Sequence, residues 1–512
     1  MVFSSSIFLF YFLPVFLAVY LLVGRRLKNP VALFFSLLFY GFGSPRFLLI
    51  LLLSILIDYF LVREVGKRNP AGLTDRMGGK TENGTPKGSP TEREVKRKMF
   101  LVLSILLNIG LLAYFKYANF FIDNLSALFG WLGLSQLSTF NSQLPRILLP
   151  IGISFFTFQK MSYSIDVYRG TAKPLNNIAD YALYIMLFPQ LIAGPIVRYN
   201  EIADQITDRS ANETTDNRIL GFYRFVLGLS KKMLIANILA EYADQVFALP
   251  AQQIGTSTAW LGILAYTFQI YFDFAGYSDM AIGIGRMIGF KFPENFNNPY
   301  ISRSVTEFWK RWHITLGRWM MDYLYIPLGG NRKGVRRTYL NLWIVFFLSG
   351  LWHGAAWTFV AWGAYHGLFI CLDKLLNGKR RTENGKFSTF RFPFSVPLTF
   401  VIVMIGWVLF RSDTIGYAVH YVGAMFGANG STPALFVNSQ FVFTLIVAAI
   451  FSFIGLVPSA TLRSKLDNLS TLNFKLSTPR CLLLGLLMLV LLLLSASFIL
   501  KGSFNPFIYF RF

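Results

Sequence analysis

Charge is scarce in this chain. Only 14% of its 512 residues are Asp, Glu, Lys or Arg, against about a quarter in a soluble globular domain. Cysteine occurs twice, as Cys371 and Cys481, both in or beside apolar runs. Two such residues define neither a disulfide framework nor a metal site. Histidine occurs four times and never as the spaced pair that binds zinc on one helix face. Basic residues outnumber acidic ones, 48 to 25, for a net charge of +23. No basic soluble segment of domain size exists, however, to carry a nucleic-acid interface. A Walker-type phosphate loop and a nucleophile elbow are both missing.

What fills the chain is apolar: 54% of residues are hydrophobic and 17% aromatic. Continuous apolar runs recur from Phe8 to Ile499, each near the ~20 residues that a helix needs to cross a bilayer. Because the runs are continuous and not alternating, a small β-barrel is excluded. The fold class is an all-α polytopic membrane protein, and the Lys and Arg that remain cluster in short loops, as the positive-inside bias requires. The first run, "MVFSSSIFLFYFLPVFLAVYLLVGRRLKN", has no basic residue before its apolar core; Arg25, Arg26 and Lys28 follow it. That order predicts an uncleaved span with an outward N-terminus, not a signal peptide.

One long hydrophilic stretch interrupts the pattern. Residues 63–98 hold ten Lys/Arg and five Asp/Glu with several Gly and Pro. Such a composition cannot bury a core, so residues 66–97 read as a disordered cytoplasmic loop. Two middle segments, 147–168 and 181–197, carry internal Pro, Gly and polar groups. Irregular backbone at membrane depth survives only where protein buries it or a cavity adjoins it, so both read as broken or re-entrant helices around a site. Residues 304–337, "SVTEFWKRWHITLGRWMMDYLYIPLGGNRKGVRR", form a basic amphipathic segment at the cytoplasmic face. Counting all runs, about eleven membrane segments are expected, in one membrane domain over 1–512. The last delivers the tail 501–512, "KGSFNPFIYFRF", to the outside.

Ionisable groups within such segments are costly and point to function. His353 stands in "SGLWHGAAW", with Gly350 and Gly354 at a spacing that lets a neighbouring backbone approach. Its near-neutral pKa suits it to take a proton from a hydroxyl; the alternative is an imidazole hydrogen-bonded between helices. His366, in the look-alike "GAYHG", reads as structural, because on a shared helix the two would sit roughly 20 Å apart along the axis. His420 stands in a less apolar stretch. His313, in "EFWKRWHITLGRW", reads by itself as an interfacial residue. Asp273 and Asp279 read as hydrogen-bonding carboxylates, with orientation of a histidine as the functional alternative.

The stretches "NPYISRSVTEFWKRWHITLGRWMMDYLYIPLGGNRKG" and "NLWIVFFLSGLWHGAAWTFVAWGAYHG" resemble the membrane-bound O-acyltransferase family, in particular its bacterial alginate O-acetyltransferase branch. "FPQLIAGPIVRY", "YFDFAGYSDMAIGIG" and the ending "FIYFRF" extend the resemblance over nearly the whole chain. Only the loop 66–97 is longer and simpler than the family pattern. The resemblance implies a ring of helices with re-entrant segments around a central catalytic channel. It places the family's essential histidine on His353 and its second histidine on His313. The implied reaction moves an acetyl group from a cytoplasmic thioester, acetyl-CoA, to a hydroxyl reaching the other side of the bacterial inner membrane. No other cofactor and no metal are expected. Lys310, Arg311 and Arg318 would meet the donor phosphates, their alternative being ordinary positive-inside flanks. Tyr509, in the tail, would be a transient acyl carrier or an interfacial aromatic. An SGNH-type transferase outside the membrane and a polysaccharide acceptor such as alginate are the implied partners. Peptidoglycan, cellulose or teichoic acid are alternative acceptors. A transporter is the competing class, disfavoured because no half of the chain repeats the other with matching interruptions.

Overall fold

The computed structural model describes residues 2–67, 92–134, 145–377, 395–429, 437–456 and 478–502. Among them no β-strand occurs, and the chain divides into two compact units. Tyr509, Cys481 and the tail from 503 onward lie outside the described residues and side chains.

The first unit comprises Phe10–Glu213 and Ile288–Phe292. Its helices are α1 (Leu13–Leu22), α2 (Lys28–Gly43), α3 (Pro45–Lys67), α4 (Glu92–Trp131), α5 (Ile153–Arg169), α6 (Ile178–Met186), α7 (Phe188–Leu191) and α8 (Tyr199–Thr207). The ends of the stretch expected to be a disordered loop are helical. Helix α3 runs to Lys67 and α4 starts at Glu92, while 68–91 lie outside the described residues. Glu92 and Glu94 occupy the first turn of α4, where the helix dipole favours them. Arg97 is buried, its guanidinium donating to the carbonyls of Val65 and Tyr168 at 3.3 and 2.8 Å. Charge alone therefore misplaced the helix boundaries. The two segments read as broken differ. From Ile153, α5 is continuous, after Gly152 turns the chain at φ 77°. After α7, residues 192–197 are non-helical yet almost completely buried, so this second segment is irregular backbone enclosed by protein.

The second unit comprises Val2–Leu9, Thr214–Met287 and the described residues from Pro293 on. It holds α9 (Thr215–Ser230), α10 (Asn237–Phe247), α11 (Thr256–Met287), α12 (Val305–Arg311) and α13 (Ile314–Met320). It continues with α14 (Val335–His353), α15 (Trp357–Asn377), α16 (Ser395–Arg411), α17 (Ile415–Met425), α18 (Ser439–Phe453) and α19 (Thr478–Leu500). A six-residue π-helical bulge, Lys231–Ala236, joins α9 to α10. Helix α11, 32 residues long, is buried along nearly its whole length and forms the unit's axis. Beside it, Gly228 abuts the carbonyl of Gly276, and Gly221 that of Gly283; a Cβ at Gly228 or Gly221 would lie 2.5 or 2.7 Å from those oxygens.

Among the described residues five helices are long and apolar enough to cross a membrane, and two shorter apolar ones, Phe8–Leu22 and Ser395–Arg411, accompany them. The protein is therefore a multi-pass membrane protein. The expected total of about eleven segments exceeds this set, since α9, α11 and α14 carry polar groups that meet protein.

Candidate active site

His313 does not lie within one amphipathic helix, as its sequence pattern predicts. It sits at a break between α12 and α13, with φ 45° and ψ 52°. A left-handed conformation is unfavourable for a residue with a Cβ, so the surroundings must hold it. They do so through the extended segment that follows α11. The amide of Ile314 donates to the carbonyl of Asn295 at 2.9 Å, and that of Asn297 to the carbonyl of Arg311 at 2.9 Å. The side chain of Asn295 contacts His313 Nδ1 at 3.0 Å and the Thr315 hydroxyl at 2.8 Å. Its neighbour Glu294 grips Arg224 of α9 at 2.6 and 2.7 Å. The same guanidinium reaches Asp279 of α11 at 2.8 Å, and Lys231 pairs with Asp279 at 2.6 Å. Asp273 pairs with Lys232 at 2.9 Å, both fully buried. Each of the two carboxylates is thus met by a cation.

His353 is the last residue of α14 and is buried. Trp352 links it to His313: the indole lies 4.9 Å from the His353 ring and 6.0 Å from the His313 ring, centroid to centroid. The two imidazoles therefore lie no farther apart than the sum of those spans. Phe274 meets His313 edge-on at 4.7 Å. Burial lowers the His313 pKa, so its neutral ring is the resting form.

Gly350 brings α15 against α14; a Cβ there would stand 2.3 Å from the carbonyl oxygen of Phe359. The glycine spacing around His353 thus serves close backbone approach. His366 belongs to α15, not to the helix of His353, so the axial separation assumed from sequence does not apply. Trp362 touches both rings, at 5.0 Å from His353 and 5.1 Å from His366. His366 is fully buried among Phe308, Trp309, Trp362 and Trp407.

An open cavity of about 640 Å³ lies behind a wall that includes Phe410, a ring neighbour of His353. Asp244, Tyr266, Thr358, Phe359, Phe410 and Arg411 are in its wall, and Phe410 packs on the His353 ring at 5.3 Å. Arg411 is bonded to Asp244 at 2.8 Å and lies over the ring of Phe247. These groups come from the end of α10, from α11, from the start of α15 and from the end of α16. His353 is at the opposite end of α14 from Arg336 and Arg337, about 25 Å away along the helix axis.

Lys310 and Arg318 are exposed on the segment whose break buries His313. Arg311 is engaged by Glu307 at 2.9 Å and by the Asn297 carbonyl at 3.2 Å. No group of three or more His, Cys, Asp and Glu side chains suited to a metal occurs among the described residues. Sequence reasoning did not single out Asn295, Trp352 or Arg411. "PENFNNPY" carries an ordinary loop signal, and only the fold lays it beside His313.

Comparison with known proteins shows the family. The profile of the MBOAT, membrane-bound O-acyltransferase family, matches residues 175–412, a span that includes both His313 and His353. The chain is 41% identical to the probable alginate O-acetylase AlgI of Pseudomonas putida, over 100% of both chains. It is 44% identical to the protein of the same name from Pseudomonas aeruginosa, over 83% of this chain and 75% of that one. It is 34% identical to the peptidoglycan O-acetyltransferase of Helicobacter pylori, over 84% and 80%. A multi-pass chain with two buried histidines about one indole, and with relatives of this similarity along its full length, belongs to the membrane-bound O-acyltransferase family and is an acyltransferase.

Proposed function

We propose that the enzyme takes an acetyl group from a cytoplasmic thioester, acetyl-CoA, and passes it across the bacterial inner membrane for O-acetylation of an exopolysaccharide, with alginate as the first candidate. The observation that carries this reading is the placement of His353, buried at the end of α14 between the Trp352 ring and the wall of a cavity. In this scheme the attacking hydroxyl enters by that cavity and gives its proton to His353. The oxygen adds to the thioester carbonyl, the C–S bond breaks, and the leaving thiolate recovers the proton from the imidazolium. His313 shares in that proton traffic from the donor side, and Lys310 and Arg318 meet the donor phosphates. Arg311 is the weakest donor contact, since Glu307 already holds it.

The relatives named alginate O-acetylase support a polysaccharide acceptor, and the 34% identity to a peptidoglycan O-acetyltransferase keeps peptidoglycan as the second reading. In both readings an SGNH-type transferase outside the membrane completes the transfer, with Tyr509 as candidate relay. The direct test is His353→Ala in cells. Surface O-acetylation is expected to fall by about 10²–10⁴-fold, the usual contribution of a general base; wild-type acetylation in a normally expressed variant overturns the enzyme assignment of His353. For the relay, Tyr509→Phe is expected to block transfer, and the C-terminal peptide of the wild type should carry one acetyl group when the acceptor is withheld. Full activity of Tyr509→Phe with no acetylated peptide removes Tyr509 from the scheme.

A further inference from the structure

A histidine beside a thioester can take two roles: holding it by donating to its carbonyl, or accepting a proton. These require opposite tautomers, because a neutral imidazole donates from one ring nitrogen and accepts at the other. The geometry at Asn295 decides between them.

Three groups converge on Asn295 Oδ1: His313 Nδ1 at 3.0 Å, the Thr315 hydroxyl at 2.8 Å and the Thr315 amide at 3.4 Å. An exchange of the amide's oxygen and nitrogen is ruled out by the Thr315 N–H, which can only donate and faces this atom. The other end agrees, since Asn295 Nδ2 donates to the Ser278 hydroxyl at 3.1 Å. With an acceptor oxygen opposite it, His313 Nδ1 carries the hydrogen. Nε2 then holds the lone pair, and this nitrogen is buried and has no hydrogen-bond partner among the described residues.

We infer that Asn295 is a positioning residue that locks His313 as its Nδ1–H tautomer, so that Nε2 is a proton acceptor and not a donor to the thioester carbonyl. This rests on the reading that His313 takes part in the transfer. The same contacts hold the left-handed backbone at His313, and Glu294 and Ser278 fix Asn295 in turn by anchoring its segment to α9 and α11. Orientation and tautomer are thereby set before substrate arrives, as preorganisation requires.

The experiment uses the full-length enzyme in nanodiscs, labelled with ¹⁵N-histidine. Four histidines make a resolvable set, and His313→Gln identifies the His313 signals. The wild type should show His313 protonated at Nδ1 and bare at Nε2. Asn295→Ala should lose that pattern and lower kcat at least about tenfold, with KM for acetyl-CoA nearly unchanged. Asn295→Asp retains an acceptor oxygen opposite Nδ1, guards against simple misfolding of the alanine variant, and should restore the Nδ1–H signal. An unchanged His313 tautomer in folded Asn295→Ala overturns the inference. A shifted tautomer with wild-type kcat overturns the catalytic positioning. If His313→Gln also keeps full kcat, the failure lies with the role given to His313.

Discussion

Trp352 and Trp362 place three histidines in one chain of rings, so the rings alone do not say which imidazole works. Polar surroundings do. His313 has a defined partner on one nitrogen, and His353 lies against a cavity wall. Both ring nitrogens of His366 are buried without a hydrogen-bond partner among the described residues, and Nε2 faces Gly406 so closely that a Cβ there would lie 2.7 Å away. Replacing such a group by an apolar one of similar size is neutral or stabilising. His366→Leu should therefore unfold at or above the wild-type temperature in detergent and keep its acetyl transfer, while His353→Ala loses it; an inactive, folded His366→Leu would place His366 in the mechanism. The sequence singles out His353 as an imidazole amid glycines in an apolar run, but His366 in "GAYHG" shares that pattern, so the pattern alone assigns no role. The work expected of His313 is not. Its left-handed break and its Asn295 partner depend on a segment 18 residues upstream, which no local pattern announces.

Helices divide by what they face. Those whose side chains meet lipid, such as α19 with its exposed leucines, are legible from apolar length alone. The interior ones, α9 and α11, are not. With the π-helical bulge after α9 they carry Arg224, Lys231, Lys232, Asp273 and Asp279 as ion pairs, all buried but the half-buried Lys231, and glycines where backbones touch. Those glycines give a test of the packing. Gly228→Ala puts a methyl group within 2.5 Å of the Gly276 oxygen, which the two helices relieve only by separating. Overpacking of this kind costs about 1–3 kcal/mol, so its thermal midpoint in detergent should drop clearly. At Gly350 the same substitution meets the Phe359 carbonyl at 2.3 Å and displaces the end of α14, where His353 sits. Gly350→Ala should thus lose activity beyond what its stability loss explains. An alanine at Gly228 with an unchanged midpoint would contradict the close contact.

Among the described residues of the first unit lies a buried cluster around Asp58 and Lys160. Asp58 accepts from Ser104 at 2.5 Å, from Asn108 at 3.0 Å and from the Tyr181 hydroxyl. Lys160, equally buried, donates to Ser54 at 2.9 Å and supplies the positive charge that offsets Asp58. The proposed reaction uses groups of the second unit only, His313, Asn295, His353 and the cavity wall, and it balances protons without a further carboxylate. On that account the Asp58–Lys160 cluster organises its own helices and takes no part in chemistry. Lys160→Met alone leaves a buried, uncompensated carboxylate and should cost about 3–5 kcal/mol. Adding Asp58→Asn removes the charge that Lys160→Met strands, so the double variant should recover much of the loss in thermal midpoint and transfer acetyl groups with a kcat close to wild type. If the double variant folds as well as the wild type and still transfers nothing, the reaction draws on the first unit. A mechanism confined to the second would then be wrong, although the Asn295 tautomer measurement would stand.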